Sequence, residues 1–435
     1  MAIDLSDLGI TPSIATAPVS TNHVEPVGPR PLIPGSTVAK ALYAVWSGEP
    51  VTVVNSPPGA GKSTLIAEVI AQLFERTDLS IMVATPTRNS AHDLSGRIAI
   101  EIGLPEKGDT PSVCLSINKM DPPVGVARKD TAKYARTVDV RTISSAGMLR
   151  ANSVVDILIV DEAYQATFAD VAAAARGAGQ ILLVGDPGQI GPVVTANTAP
   201  WAHLKAAPHH RSPEVFLKRD DATVLTLDAT YRLGKEGAAA IAPLYDFEFE
   251  SLRPDRHIEV AGDVLPEIVS VEIETKSSPY NIDTLRTVAN LADDMSRNTY
   301  VTFDDEGNEV RAELRQRDVC VVVAHKAQES AIAAILEERQ LGGITVGTAD
   351  SLQGGQWPAV IGLDAMVGYT QASGHHASVG RLCVMASRHM AHLTWVHDGQ
   401  WENGFRTAED ELSAKEIKSS IDTRKKLCEH TSEGR

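Results

Sequence analysis

The stretch Val51-Thr-Val-Val-Asn-Ser-Pro-Pro-Gly-Ala-Gly-Lys-Ser-Thr64 carries an apolar β-branched run into a glycine-rich loop. An amphipathic pattern (Leu65, Ile66, Val69, Ile70, Leu73) starts directly after it. Strand, loop and helix in that order build a phosphate cradle. Gly59 and Gly61 let the backbone curl until its N–H groups point at phosphate oxygens. The helix N-terminus adds positive dipole. Lys62 is spaced to reach the β- and γ-phosphates of a nucleoside triphosphate, and the Ser63 hydroxyl to ligate Mg²⁺. The expected nucleotide contacts therefore run through Pro58, Gly59, Ala60, Gly61, Lys62, Ser63 and Thr64. The usual G-x-x-x-x-G-K-S pattern opens with a glycine where this chain has Ser56.

A second apolar run, Ile157-Leu-Ile-Val-Asp-Glu-Ala-Tyr-Gln165, ends in two carboxylates. Beside a phosphate loop, Asp161 would hold the Mg²⁺ shell. Glu162 would orient and deprotonate an attacking water. Alone, an Asp-Glu pair after an apolar strand starts many solvated helices; together with the loop it points to ATP hydrolysis. A third run, Ile181-Leu-Leu-Val-Gly-Asp-Pro-Gly-Gln-Ile-Gly-Pro192, ends in a tight turn that Gly185, Pro187 and Gly188 account for. They do not account for Gln189, which stands where a γ-phosphate sensor would.

Gly-Asp-Pro-x-Gln-x-x-Pro after an Asp-Glu-Ala-x-Gln box resembles motifs III and II of superfamily 1 helicases. The Asp-Glu-Ala-Tyr-Gln form looks most like the branch that holds the nonsense-mediated-decay helicase and RecD-like enzymes. Further motifs follow in the order of that family. Ala84-Thr-Pro-Thr-Arg-Asn-Ser-Ala-His-Asp93 is similar to motif Ia, which implies nucleic-acid backbone contacts at Thr85, Thr87 and Arg88. Thr142-Ile-Ser-Ser-Ala146 resembles the short backbone-contacting motif before motif II and implies one at Ser144. Leu227-Asp-Ala-Thr-Tyr-Arg232 resembles motif IV, with Tyr231 stacking on the nucleotide base and Arg232 reaching the γ-phosphate. Val346-Gly-Thr-Ala-Asp-Ser-Leu-Gln-Gly-Gly-Gln356 resembles motif V, with Thr348 on the strand and Gln356 at the ribose, where the family usually has glutamate. Arg381-Leu-Cys-Val-Met-Ala-Ser-Arg388 resembles motif VI, with Arg388 as a second phosphate-facing arginine. The resemblance implies ATP and Mg²⁺ as cofactors, held in a cleft between two lobes that close on the nucleotide. It also implies single-stranded DNA or RNA as the partner, with 5′→3′ movement.

These motifs need strands and helices to hold them. Short β-branched runs at residues 51–54, 81–84, 138–143, 157–160 and 181–184 alternate with helical patterns. That alternation marks a parallel sheet covered on both faces. A second series at 224–227, 319–323, 344–346, 360–363 and 393–396 implies another such lobe. The expected fold is α/β, with two tandem RecA-like P-loop lobes, each a mostly parallel sheet flanked by helices. The expected division is an irregular arm at 1–35, a first lobe at 36–205, a second at 206–400 and a charged tail at 401–435. Residues 104–137 are expected to form a hairpin or small subdomain. They hold Lys119, Arg128, Lys129, Lys133 and Arg136, the most basic run near the expected nucleic-acid face.

Composition fits this reading without compelling it. A chain of 435 residues with 43% apolar and 22% charged residues is an ordinary globular protein with room for two cores. A net charge of −16 is not the footprint of a protein coated in nucleic acid, so strand contacts are expected in a confined groove. The chain start lacks a basic, apolar leader pattern, and the four cysteines lack metal-ligand spacing, which together suggest a cytoplasmic protein with reduced thiols. A monomer is expected. Three activities stay open: a translocating helicase, an ATPase that remodels complexes without unwinding, and an ATP-gated binding switch. The intact Asp161–Glu162 pair and both arginines argue against the switch, which need not retain them all.

Overall fold

The computed structural model describes residues 30–103, 112–128, 137–149, 154–201, 203–274, 278–304, 306–406 and 413–430. The expected arm at 1–35 lies outside these residues as far as residue 29, and so do Lys129, Lys133 and Arg136 of the basic run.

The first sheet is built from β1 (Val51–Asn55), β2 (Ile81–Thr85), β3 (Val113–Leu115), β4 (Val126–Arg128), β5 (Val138–Thr142), β6 (Val155–Val160), β7 (Ala178–Gly185) and β8 (Ala222–Thr226). Their order is β4-β3-β5-β2-β6-β7-β1-β8, and every pairing is parallel. Alternate residues of one strand serve two cores. Val54, Ile81 and Val83 pack under the helices Thr37–Trp46, Lys62–Arg76 and Arg88–Ile102. Val51, Val53, Met82 and Ala84 pack over Ile143–Gly147 and Phe168–Ala174. Burial on both faces is why these strands read as unbroken apolar runs.

The second sheet has β13 (Ile268–Ile273), β16 (Val319–Val323), β17 (Thr345–Thr348), β18 (Trp357–Leu363) and β19 (His389–Asp398), in the parallel order β13-β19-β18-β16-β17. One face packs on Ile282–Met295 and Lys326–Glu338, the other on Lys235–Ile241, Val379–Ala386 and Ala414–Cys428. A two-stranded ladder joins β9 (Ala229–Thr230) to β10 (Glu250–Ser251). A small antiparallel sheet, order β12-β11-β14-β15, combines β11 (Arg256–Val260), β12 (Asp263–Val264), β14 (Thr299–Phe303) and β15 (Glu309–Glu313).

Three expectations are corrected. The run at 224–227 belongs to the first sheet, not the second: β8 pairs with β1 from Val51↔Ala222 to Asn55↔Thr226. The first lobe thus reaches well past residue 205, and the chain crosses to the second near residues 227–234. Residues 112–128 form no hairpin; β3 and β4 extend the first sheet in parallel. The segment after residue 401 is not merely a charged tail. Its helix Ala414–Cys428 docks on the second lobe through Arg424, which is almost wholly buried. Arg424 Nε donates to Asp364 at 2.9 and 3.0 Å, Nη1 to Ser420 Oγ at 2.6 Å and Nη2 to the His376 carbonyl at 3.0 Å. Among the described residues no helix is long and apolar enough to cross a membrane.

Removing one partner of a buried ion pair leaves the other desolvated and uncompensated. Arg424→Ala should therefore cost about 3–5 kcal/mol of stability. Urea unfolding measures it; a loss under about 1 kcal/mol, the scale of an exposed pair, would mean that the C-terminal helix is not held by this contact.

Candidate active site between two lobes

The phosphate loop takes the conformation its glycines permit. Gly59 has φ +72° and Gly61, which caps the helix Lys62–Arg76, has φ +83°. A Cβ on Gly59 would overlap the Arg232 side chain. The loop is stapled to the inter-lobe crossing: Thr230 Oγ1 donates to the Pro58 carbonyl at 2.6 Å, and Tyr231 N to the Gly59 carbonyl at 3.0 Å. Ser56 departs from the usual pattern without strain. It is buried, its φ is not positive, and both its N–H and its hydroxyl donate to the Gly185 carbonyl at 3.0 Å. The side chain uses the space a glycine would leave and ties β1 to β7.

Opposite the loop, β6 delivers Asp161 buried and Glu162 at the cavity wall. Glu162 adopts φ 50°, ψ 42°, a left-handed conformation rare outside glycine, which costs about 1–3 kcal/mol. Its N–H donates to Asp161 Oδ1 at 2.9 Å. Lys62 Nζ stands 3.4 Å from Glu162 Oε1. Burial, and then the Glu162 charge, push the Asp161 carboxyl up to about 7. Burial also raises Asp186, a third carboxylate. Burial works against the Lys62 charge, but Glu162, Asp186 and Asp161 outweigh it and the ammonium is held above its usual range.

This donor set fits Mg²⁺. Ser63 and Asp161 offer oxygen ligands beside an excess of negative charge. Among the described residues no cluster of three His, Cys, Asp or Glu has metal-holding geometry. Further ligands would come from phosphate oxygens and water, as Mg²⁺ prefers.

The second lobe brings two arginines. Arg232 Nε donates to Gln356 Oε1 at 3.1 Å and Nη1 to the Ser387 carbonyl at 3.2 Å. Burial, and then Arg388, bring its guanidinium down to about 10. Arg388 is 1% exposed; Nη1 lies 3.4 Å from the Gly355 carbonyl, while Nε and Nη2 are buried with no hydrogen-bond partner among the described residues. Gln356, in the place of the usual glutamate, is the acceptor that steadies Arg232. A single carboxylate anchors the chain just past both arginines. Glu267 accepts from Gly234 N at 2.5 Å, Glu236 N at 3.0 Å and His389 Nε2 at 3.2 Å. Burial opposes its charge, but the His389 bond and charge and the Arg253 charge prevail, holding it at about 2.

Together these parts enclose a cavity of about 350 Å³. The first lobe lines it with residues 59–63, Glu162 and Gln189, the second with Arg232, Gln356 and Arg388. Pro58, Thr64 and Asp161 do not line it. Tyr231 does not line it either; the residue is 53% exposed.

The expected strand-contacting residues divide into two sets. Thr87, Arg88 and Ser144 are exposed on the first lobe. Thr85 and Thr348 are buried, with their hydroxyls turned inward: Thr85 Oγ1 donates to the Thr87 carbonyl at 2.9 Å, and Thr348 Oγ1 to Ser351 Oγ at 3.2 Å. They shape the loops at the carboxyl ends of β2 and β17 and do not present a hydroxyl to a ligand.

Sequence reasoning missed four residues here. Arg97 lines the cavity from the helix Arg88–Ile102. Arg211 holds the turn after β7, donating to the Pro187 carbonyl at 2.8 Å and to the Gln189 carbonyl. Asp186 accepts from Gln189 Nε2 at 2.8 Å and from the Tyr245 hydroxyl at 2.9 Å. Only Asp186 had a signal, its place inside Gly-Asp-Pro-x-Gln. The other three lie where nothing in the local pattern marks them.

Residues 38–242 match the family model of an AAA domain. Over 195 residues the chain is 25% identical to Regulator of nonsense transcripts 1 of Caenorhabditis elegans, covering 36% of this chain and 18% of that protein. Among solved structures, the arterivirus nonstructural protein 10 helicase aligns with 85% of this chain and 64% of its own at 16% identity, TM-score 0.45. The PRRSV helicase aligns with 82% and 54% at 16% identity, TM-score 0.43. The chain spans less than two thirds of each of these proteins. The loop, the carboxylate pair and the domain match support a superfamily 1 helicase-like P-loop NTPase.

Gly59→Ala forces a Cβ into Arg232 at a positive φ. Strain of about 1–3 kcal/mol should weaken nucleotide binding by about tenfold or more. Titration with a fluorescent ATP analogue reads this directly, and an unchanged affinity would mean that the loop does not hold the phosphates.

Proposed function

We propose that this chain hydrolyses ATP in the cleft and uses the closing and opening of its lobes to move along single-stranded nucleic acid. One observation carries the reading. A buried guanidinium with two nitrogens unpaired, that of Arg388, forms a cavity wall whose other side is Lys62 and the phosphate loop. An orphaned buried cation is costly unless an anion completes it.

Lys62 and the loop N–H groups would hold the β- and γ-phosphates from the first lobe. Ser63 and Asp161 would hold Mg²⁺, which when bound draws charge off the phosphate oxygens. Glu162 would take the proton of the attacking water, and Gln189 would sense the γ-phosphate. Arg232 and Arg388 would neutralise charge that builds on the transferred group. Gln356 would meet the ribose, and Tyr231 would stack on the base after a side-chain rotation. Thr87, Arg88 and Ser144 would meet the strand backbone on the first lobe, and the β17 loop around Thr348 would meet it on the second.

ATP turnover should rise when single-stranded DNA or RNA is added, and strand affinity should fall as salt rises, because phosphate contacts release counterions. A rate indifferent to every strand tested would favour an ATP-gated switch instead. Arg388→Ala should bind ATP nearly normally but turn over about a thousandfold more slowly, since arginines of this kind act on the transition state. Nucleotide affinity and single-turnover hydrolysis in the same variant decide it; lost affinity with a normal rate would make Arg388 a binding residue only.

A further inference from the structure

Tyr245 has no part in any motif, yet its hydroxyl sits at the junction of the lobes. It follows the helix Lys235–Ile241 and the turn Ala242–Leu244 of the second lobe. Its ring packs against Phe247 and Phe249 at centroid distances of 5.3 and 5.2 Å. On the first-lobe side the ring covers Gly188, where any Cβ would overlap it. The hydroxyl donates to Asp186 Oδ1 at 2.9 Å and lies 3.2 Å from Cys383 Sγ. Asp186 also accepts from Gly188 N at 2.9 Å and, through Oδ2, from Gln189 Nε2 at 2.8 Å.

This is a relay of three side chains. The second lobe holds Tyr245, Tyr245 holds Asp186, and Asp186 holds the amide of Gln189 at the cavity wall. Arg211 fixes the backbone of the same turn from within the first lobe. Two side-chain links to this turn therefore depend on where the second lobe stands: the short Tyr245–Asp186 bond, and a long contact of 3.5 Å from Gln353 Nε2 to Gln189 Oε1. Arg232 and Tyr245 lie at the two ends of one short helical segment, so docking that segment delivers both.

We infer that Tyr245 is a positioning residue that orients Gln189 through Asp186 and makes the γ-phosphate sensor competent only when the second lobe is seated. The inference rests on the ATPase reading above. Tyr245 need not touch the nucleotide; its hydroxyl restricts the Asp186 carboxylate, and that carboxylate restricts the glutamine.

The test is Tyr245→Phe, which keeps the ring and its packing and removes only the hydroxyl. Loss of one hydrogen bond to a charged acceptor should lower kcat by about tenfold. KM for ATP and affinity for a non-hydrolysable analogue should stay within about twofold, because the loop and Lys62 are untouched. In a Gln189→Ala background, Tyr245→Phe should add less than about twofold, since the group it acts through is gone. A merely structural tyrosine would not give this split or this non-additivity. Wild-type kcat in Tyr245→Phe, or a full tenfold loss on top of Gln189→Ala, overturns the inference and leaves the ATPase reading standing. Absence of nucleotide turnover in the wild-type protein overturns both. If Tyr245→Phe unfolds, as thermal melting would reveal, Asp186→Ala reads the same relay from its centre. It should show the same kcat loss, and a wild-type kcat there is equally fatal.

Discussion

Like charges are crowded and desolvated on each wall of one cleft, and the rest of the molecule is arranged to keep them there. Burial raises Asp161 and Asp186 on the first lobe and lowers Arg232 and Arg388 on the second. Neither wall is neutralised within its own lobe. On the first wall Lys62 and Arg97 face three carboxylates, and among the described residues the hydrogen bonds of Arg232 and Arg388 go to backbone carbonyls and the amide of Gln356. The walls therefore attract across the gap; Glu162 and Asp186 both favour the charge on Arg388. A triphosphate with its cation has the alternating charge that satisfies both walls, and the same burial strengthens every interaction it would make.

The parallel sheets hold this arrangement: first-lobe groups follow the carboxyl ends of their strands, and second-lobe groups stand at the amino ends of theirs. Asp161 and Glu162 follow β6, the Asp186 turn follows β7, and the phosphate loop follows β1. On the second lobe the Gln356 loop joins β17 to β18, while Arg388 immediately precedes β19. Glu267, one residue before β13, then ties down the chain beyond both arginines. The charged walls are thus fixed by backbone geometry rather than by their own side-chain preferences.

What the sequence made legible follows from these physics. Strands buried on both faces, such as β1, β2 and β16, announce themselves as apolar runs, and the phosphate loop has a spacing few other structures need. The edge strand β8 is half-buried and short, so nothing in Ala222–Thr226 says which sheet it joins; only long-range pairing decides. β15 is exposed throughout and reads as a charged loop. The helix Ala414–Cys428 buries Ser420, Thr423 and Arg424 with Leu427, a polar face that hides its docking. Thr85 and Thr348 turn their hydroxyls into their own loops, which the sequence does not reveal because threonine serves equally as a ligand contact and as a turn brace. Tyr245 lies in an aromatic stretch that reads as plain packing.

The staple between the phosphate loop and the crossing segment has a mechanical meaning. Pro58 and Gly59 grip Thr230 and Tyr231 by hydrogen bonds, and the chain passes between the lobes at that place. The fulcrum of any lobe rotation therefore lies beside the phosphates, with the root of Arg232 on one side of it and its guanidinium tip on the other. In the proposed cycle a displacement at the fulcrum too small to break the staple would become a larger one far from it, gearing a short stroke at the nucleotide into a longer one at the lobe edges.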